Sequence, residues 1–115
     1  MALTVIWHNP RCSKSRQTLA LLQEKGVEPE VRKYLEDAPD EAELREAAEK
    51  LGLGVSGMMR RGEKAWKELG LSEHDPDDRL ISAMAEHPIL IERPIVFAKD
   101  RAAIGRPPEA VLDIL

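Results

Sequence analysis

The apolar residues follow two rhythms along the chain, one of strands and one of helices. Leu3-Thr4-Val5-Ile6-Trp7 is an apolar run that reads as a buried strand, and His8-Asn9-Pro10 reads as a turn. Ser13 to Lys25 has helical spacing, with Leu19, Leu21 and Leu22 for packing and Gly26 as a stop. Val31 to Leu35 predicts a second strand, parallel to the first because a helix connects them. Ala38-Pro39-Asp40-Glu41 opens another helix, whose inner face is Leu44, Ala47, Ala48 and Leu51 and whose end is Gly52. A further helix is expected from about Ser56 to Leu69, with Met59, Trp66 and Leu69 on its apolar side. The next runs from about Asp77 to His87, with Leu80, Ile81 and Met84, and stops at Pro88. After Pro94 the period returns to two. Ile95-Val96-Phe97-Ala98, a polar turn at Lys99-Asp100-Arg101, and Ala102-Ala103-Ile104 read as a hairpin. Gly105-Arg106-Pro107-Pro108 leads into a terminal helix with Val111, Leu112 and Leu115 inward.

The order is βαβ, three helices, then ββα. Without the middle helices βαβ–ββα remains, so the expected class is α/β, a thioredoxin-like fold with a helical insertion at about residues 40–88. The chain has 115 residues, 43% of them apolar. That suits a single domain spanning 1–115 with a modest core. The charged run Glu36 to Glu49 keeps helical leucine and alanine spacing, so it reads as a solvated helix face.

Candidate chemistry gathers at the only cysteine, Cys12, in HNPRCSKSR. The predicted elements put it at the start of a helix that follows a strand. There, unpaired N–H groups and the helix dipole stabilise an anion. Such a setting lowers a thiol pKa from about 8.5 toward roughly 3.5–7.5. A lone cysteine is otherwise an inert small hydrophobe, but Arg11, Lys14, Arg16 and His8 surround this one in sequence. It reads as a nucleophile.

One cysteine excludes an internal disulfide, a four-thiolate zinc site and a Cys-x-x-Cys pair, whose second place Ser15 fills. Reduction of an oxidised Cys12 must therefore come from an external thiol, which points to a reducing compartment, the cytoplasm. Met1-Ala2 shows no basic leader region, and no apolar stretch approaches the roughly 20 residues of a membrane span. The net charge of −4 argues against general nucleic-acid affinity. No histidine and acid spacing suggests a metal, and no glycine-rich phosphate loop is present.

Four segments, HNPRCSKSRQTL, MMRRGEKAWKELGL, HPILIERPIV and GRPPEAVLDIL, together resemble the glutathione/glutaredoxin-coupled arsenate reductase family, in its short form. The resemblance runs from about residue 3 to residue 115. It implies a thioredoxin fold with a helical insertion and a nucleophile at Cys12. It further implies oxyanion-binding arginines at Arg60, Arg93 and Arg106, with His8 four residues before the cysteine. Arg61 is the alternative to Arg60, because the two are neighbours. The fold would set Arg93-Pro94 at a cis-proline loop against the thiol, and Arg106-Pro107 at a strand end. Prolines stiffen both positions. His8 would stand beside the thiolate, helping it by charge or by hydrogen bonding, or would be an ordinary turn residue. The Ser15 hydroxyl would donate to the sulfur or act as a helix cap. Lys14 and Arg16 would add positive field as solvated groups. His74 and His87 read as structural, and Met58 and Met59 as core.

Arginine suits a tetrahedral oxyanion because its planar fork donates two parallel hydrogen bonds and stays charged. Each such donor can lower a barrier by roughly 2.7–4 kcal/mol. The implied activity is reduction of arsenate to arsenite through a covalent Cys12 adduct. Glutathione is the co-substrate, glutaredoxin the partner, no cofactor is bound and a monomer is expected. Two other readings stay open. One is a glutathione-dependent thiol reductase or deglutathionylating protein with a non-arsenic substrate. The other is an Spx-like redox-sensing regulator that docks on RNA polymerase, although such sensors carry the second cysteine that Ser15 replaces.

Overall fold

A computed structural model describes residues 4–115. Met1, Ala2 and Leu3, and with them the expected first residue of the opening strand and the leader reading, lie outside the described residues. The chain divides into two compact units: residues up to Asp37 together with Arg93–Leu115, and Ala38–Glu92.

The first unit is built on a four-stranded sheet in the order β2-β1-β3-β4. Here β1 is Thr4–Trp7, β2 Glu30–Arg32, β3 Ile95–Ala98 and β4 Arg101–Ile104. β1 runs parallel to β2 and antiparallel to β3, and β3 and β4 form the predicted hairpin. Pairing of Ile6 with Val96 puts both on one sheet face. There they meet Leu22, Val111 and Ile114 in the core, edged by Leu19, Val27 and Ala103. Trp7, which alternates to the other face, packs a tilted ring on Phe97 with centroids 4.8 Å apart. The arrangement is thioredoxin-like, as the element order predicts.

Helix α1, Ser13–Glu24, joins β1 to β2 and ends as expected at Gly26, whose φ of +80° suits a residue without a Cβ. Gly26 N–H donates to the Gln23 carbonyl and Val27 N–H to the Leu22 carbonyl, so the last turn closes on itself. Its buried face is Ser15, Thr18 and Leu22, not a purely leucine stripe; Leu19 and Leu21 are half-buried. Strand β2 is shorter than predicted. After Arg32 the backbone turns, and Tyr34 is buried from that turn rather than from a strand.

The terminal segment differs in kind. Pro108–Ile114 is a 3₁₀ helix, not an α-helix. Three residues per turn put Pro108, Val111 and Ile114 on one line, and those are the buried side chains. The 3.6-residue period had pointed Leu112 and Leu115 inward, yet Leu112 is half-buried and Leu115 exposed.

In the second unit, α2 (Glu41–Leu51) begins with a capping box. Asp40 accepts from the Glu43 N–H at 2.8 Å, and Glu43 accepts from the Asp40 N–H at 3.1 Å. It packs on α4, Asp77–Glu86, which buries the predicted Leu80, Ile81 and Met84. The single helix expected over 56–69 is broken. A 3₁₀ turn at Ser56–Met58 is followed by extended backbone, then by the short α3, Lys64–Glu68. Met59 bridges to Ile91, Glu92 N–H donates to the Met58 carbonyl at 2.8 Å, and Arg60 N–H donates to the Leu90 carbonyl at 2.7 Å. Gly57 and Gly62 weaken a helix here, and the tertiary ladder takes the backbone groups instead. Met58, Met59 and Trp66 are buried as predicted; Leu69, just past α3, is exposed. Among the described residues no helix is long and apolar enough to cross a membrane.

Candidate active site

β1 ends at Trp7, and the chain turns through Asn9-Pro10-Arg11 before α1 starts. Asn9 ties this turn from three sides. Its carbonyl accepts the Cys12 N–H at 3.0 Å, its Oδ1 accepts the Arg11 N–H at 3.0 Å, and its own N–H donates to Ser15 Oγ at 3.0 Å. Cys12 is thereby held extended at the N-cap of α1 (φ −92°, ψ 123°), half-buried. The N-cap is where backbone donors converge with no helical acceptor of their own.

Two arginines reach the sulfur from the other half of the sheet. The peptide bonds Arg93–Pro94, entering β3, and Arg106–Pro107, leaving β4, are both cis. Arg106 Nη2 stands 3.6 Å from Cys12 Sγ while its Nε donates to the Arg93 carbonyl at 2.9 Å. The Arg93 side chain also favours the charged sulfur. Burial pushes the Cys12 thiol up, but the Ser15 N–H, the Arg93 side chain and the Lys14 N–H together hold its pKa below the ordinary thiol value.

Gly105 brings these parts into contact. A Cβ there would fall 2.5 Å from Thr18 Oγ1 and 2.8 Å from Pro94 Cγ, so only glycine lets β4 close on α1 and the proline loop. Its N–H donates to the Pro94 carbonyl at 2.9 Å. Neither Gly105 nor Thr18 stands out in sequence, because a close approach leaves no local signal.

His8 and Ser15 lie where the motif predicts but bond differently. His8 is buried, and its Nδ1 is 2.6 Å from Ser15 Oγ; that contact, not one to the sulfur, is its ring's hydrogen bond. Burial, then the charges of Lys33 and Arg16, lower its pKa, so the ring is neutral at pH 7. Of the two ways it was expected to help the thiolate, a positive charge is the one the structure disfavours. The Ser15 hydroxyl, expected either at the sulfur or as a helix cap, instead lies between His8 and the Asn9 N–H. Ser15 reaches the sulfur through its backbone N–H.

A chain with a single thiol at a helix start, two cis-proline-linked arginines on that thiol and a thioredoxin-like sheet can be set beside known proteins. The ArsC family model matches residues 7–114. The chain belongs to the ArsC family. A protein named arsenate reductase from Neisseria meningitidis serogroup A is 52% identical over 112 residues, covering 96% of each chain. The uncharacterized protein YfgD of Escherichia coli K12 is 53% identical over 112 residues, covering 96% of this chain and 94% of its own. A solved arsenate reductase from Vibrio cholerae superposes with a TM-score of 0.95 at 54% identity, covering 99% of this chain and 98% of that one.

Within this ArsC-family chain, His8, Cys12, Ser15, Arg93 and Arg106 are brought together in the first unit. Arg60 belongs to the second. Its Nε and Nη1 each donate at 2.9 Å, to Glu63 and to Glu92 respectively, from a half-buried position. Arg61, the alternative, is exposed and pairs with Glu73. Sequence reasoning passed over Asn9, read only as part of a turn, and the two glutamates that hold Arg60. An asparagine before a proline is a known turn-former whose side chain bonds its own backbone two residues on, and that signal was present. Among the described residues no cluster of His, Cys, Asp or Glu could hold a metal.

Proposed function

We propose that the protein is an arsenate reductase that works through Cys12 with glutathione and glutaredoxin. The observation that carries this reading is the Cys12 sulfur at the α1 N-terminus with Arg106 Nη2 at 3.6 Å, its thiol pKa lowered in part by the Arg93 side chain. Membership of the ArsC family and relatives named arsenate reductase support it.

In this reading the Cys12 thiolate attacks arsenic, an S–As bond forms, and an arsenate oxygen leaves as water after protonation. Arg93 and Arg106 take up the negative charge on the remaining oxygens. The fork geometry matters because the adduct's oxygens are fixed in direction. Glutathione then attacks the Cys12 sulfur. The S–As electron pair passes to arsenic, which leaves as arsenite, and an S–S bond joins Cys12 to glutathione. The two thiols supply the two electrons. Glutaredoxin exchanges the glutathione away and restores the thiol in the cytoplasm. His8 and Ser15 act by holding the loop: the ring fixes the Ser15 hydroxyl, which fixes the Asn9 N–H beside the cysteine turn.

Arsenite formation from arsenate and glutathione, with and without glutaredoxin, tests the reading. Arg93→Lys and Arg106→Lys keep the charge and remove the fork, so each is expected to lose activity by roughly ten- to a thousandfold, in kcat and kcat/KM together. Arg61→Lys, on the exposed pair with Glu73, is expected to be nearly silent. No arsenite from the wild-type protein, or full activity in both lysine variants, overturns the assignment.

A further inference from the structure

The distribution of ion pairs differs sharply between the two units. In the second, every basic side chain except Lys67 pairs with a carboxylate, Arg45 with Asp78 and Arg79 with Asp75 among them. Near the thiol the pattern reverses. Arg11, Lys14, Arg16 and Lys33 are exposed, and among the described residues none has an ion-pair partner. All four border the Cys12 loop. Arg11 precedes the cysteine, and Lys14 sits in the first turn of α1. Arg16 Nη1 donates to the Pro10 carbonyl at 2.8 Å. Lys33 follows Arg32, whose carbonyl accepts the His8 N–H at 2.8 Å. The nearest acid to Lys33 that makes an ion pair, Asp37, pairs with Arg32.

The placement of two of these cations on α1 points the same way. Helices α2 and α4 carry acids in their first turns, Glu41 and Glu43 in one and Asp77 and Asp78 in the other. Those acids balance the positive helix end. The first turn of α1 carries none. Its residues are Ser13, Lys14, Ser15 and Arg16, so cations add to the dipole instead of cancelling it. One thiolate carries a single negative charge, and Arg93 and Arg106 already answer it. The outer four cations remain unbalanced in a chain of net charge −4.

We propose that Arg11, Lys14, Arg16 and Lys33 form a docking collar for a small thiol or disulfide bearing carboxylates, selecting anionic over neutral or cationic thiol partners of Cys12. The collar lies outside the oxyanion position and acts on the co-substrate. The inference rests on Cys12 being the working nucleophile, but it does not need arsenate. Exposed cations raise the encounter rate of an anion and lose that effect as salt screens them.

The test is thiol–disulfide exchange at Cys12 with no arsenate present. The thiolate attacks one sulfur of a disulfide, the S–S bond breaks, and the other half leaves as a thiolate. Rates are measured with glutathione disulfide, neutral hydroxyethyl disulfide and cationic cystamine. Dividing each rate by that for the neutral disulfide cancels any change in thiolate fraction. The wild type is expected to favour glutathione disulfide at about 10 mM salt, and to lose the preference at about 500 mM. In Arg11→Gln/Lys33→Gln the ratio for glutathione disulfide should fall roughly five- to tenfold at low salt while that for cystamine rises. Unchanged ratios in the variant overturn the proposal, as does a wild type with no salt-sensitive preference, a result that needs no variant to fold. A chain that makes no arsenite yet shows these ratios fails the arsenate reading alone.

Discussion

Cys12 has an opposing pair of influences on its charge, and their balance is measurable. Burial alone would leave a neutral thiol, whereas two backbone N–H groups and the Arg93 side chain favour the thiolate. The rate of alkylation against pH is therefore expected to rise through a midpoint below the roughly 8.5 of a free cysteine. A midpoint at or above that value removes the activated nucleophile. The sign of the linked stability follows. A group whose folded pKa is depressed stabilises the fold above its unfolded pKa, and that contribution fades as pH falls through the folded value. Cys12→Ser should lose that pH dependence along with all turnover. The cysteine was legible from sequence because its chemistry is local: one thiol, a helix start and basic neighbours within a few positions. The partner of His8 was not, because which of two nearby groups a ring nitrogen meets depends on side-chain packing. Ser15 is fully buried behind the loop, and the sulfur is not.

At the scale of elements the site is a junction of three pieces: the N-terminus of α1, the loop entering β3 and the exit of β4. Gly105 is the point where they touch. Gly105→Ala is expected to destabilise the protein by about 1–3 kcal/mol, because Thr18 on α1 and Pro94 must both give way. It should also raise the thiol midpoint, since Arg106 is the next residue and Arg93 precedes Pro94. Thermal denaturation and the alkylation profile report the two effects. Thr18→Ala in the same chain should recover part of the stability, and failure to do so would mean that the contact is not the cause. Elements with strong local signals were legible. The start of α2 near Asp40 and the Gly26 stop are such cases, where helix ends are set within a few residues. Ser56–Leu69 was misread because its apolar spacing suits a helix, while the backbone between Met58 and Arg60 pairs with Leu90–Glu92. A ladder to a segment some thirty residues away leaves no trace in local periodicity.

Over the whole molecule, charge is divided as the structure is. The residues of the first unit include ten basic and eight acidic side chains, those of the second seven and thirteen. The overall negative balance thus belongs to the helical unit, and the thiol sits in the unit with the positive excess. The lone thiol makes a second whole-chain statement. With no other cysteine, no intramolecular disulfide can release a product from Cys12. After one turnover with arsenate and glutathione, and without glutaredoxin, mass spectrometry of the intact protein should show one glutathione joined to Cys12. Unmodified protein under those conditions, or multiple turnover at full rate with thioredoxin alone, contradicts the reduction scheme.

The sequence by itself determined the opening βαβ, the β3–β4 hairpin and the mainly helical stretch between them, and it singled out Cys12 as the candidate nucleophile, because strand and helix periods, caps and proline stops act over a handful of positions. The tertiary structure alone decided three things. It brought Arg93 and Arg106, which the family resemblance and no local pattern had named, to one sulfur more than eighty positions away along the chain. It turned the terminal segment into a 3₁₀ helix, where the spacing of Pro108, Val111 and Ile114 fits the core better than an α-helical turn would. It gave His8 to Ser15. In each case the deciding contact joins side chains from different elements, and its energy depends on how those elements pack and not on which residues are neighbours in sequence.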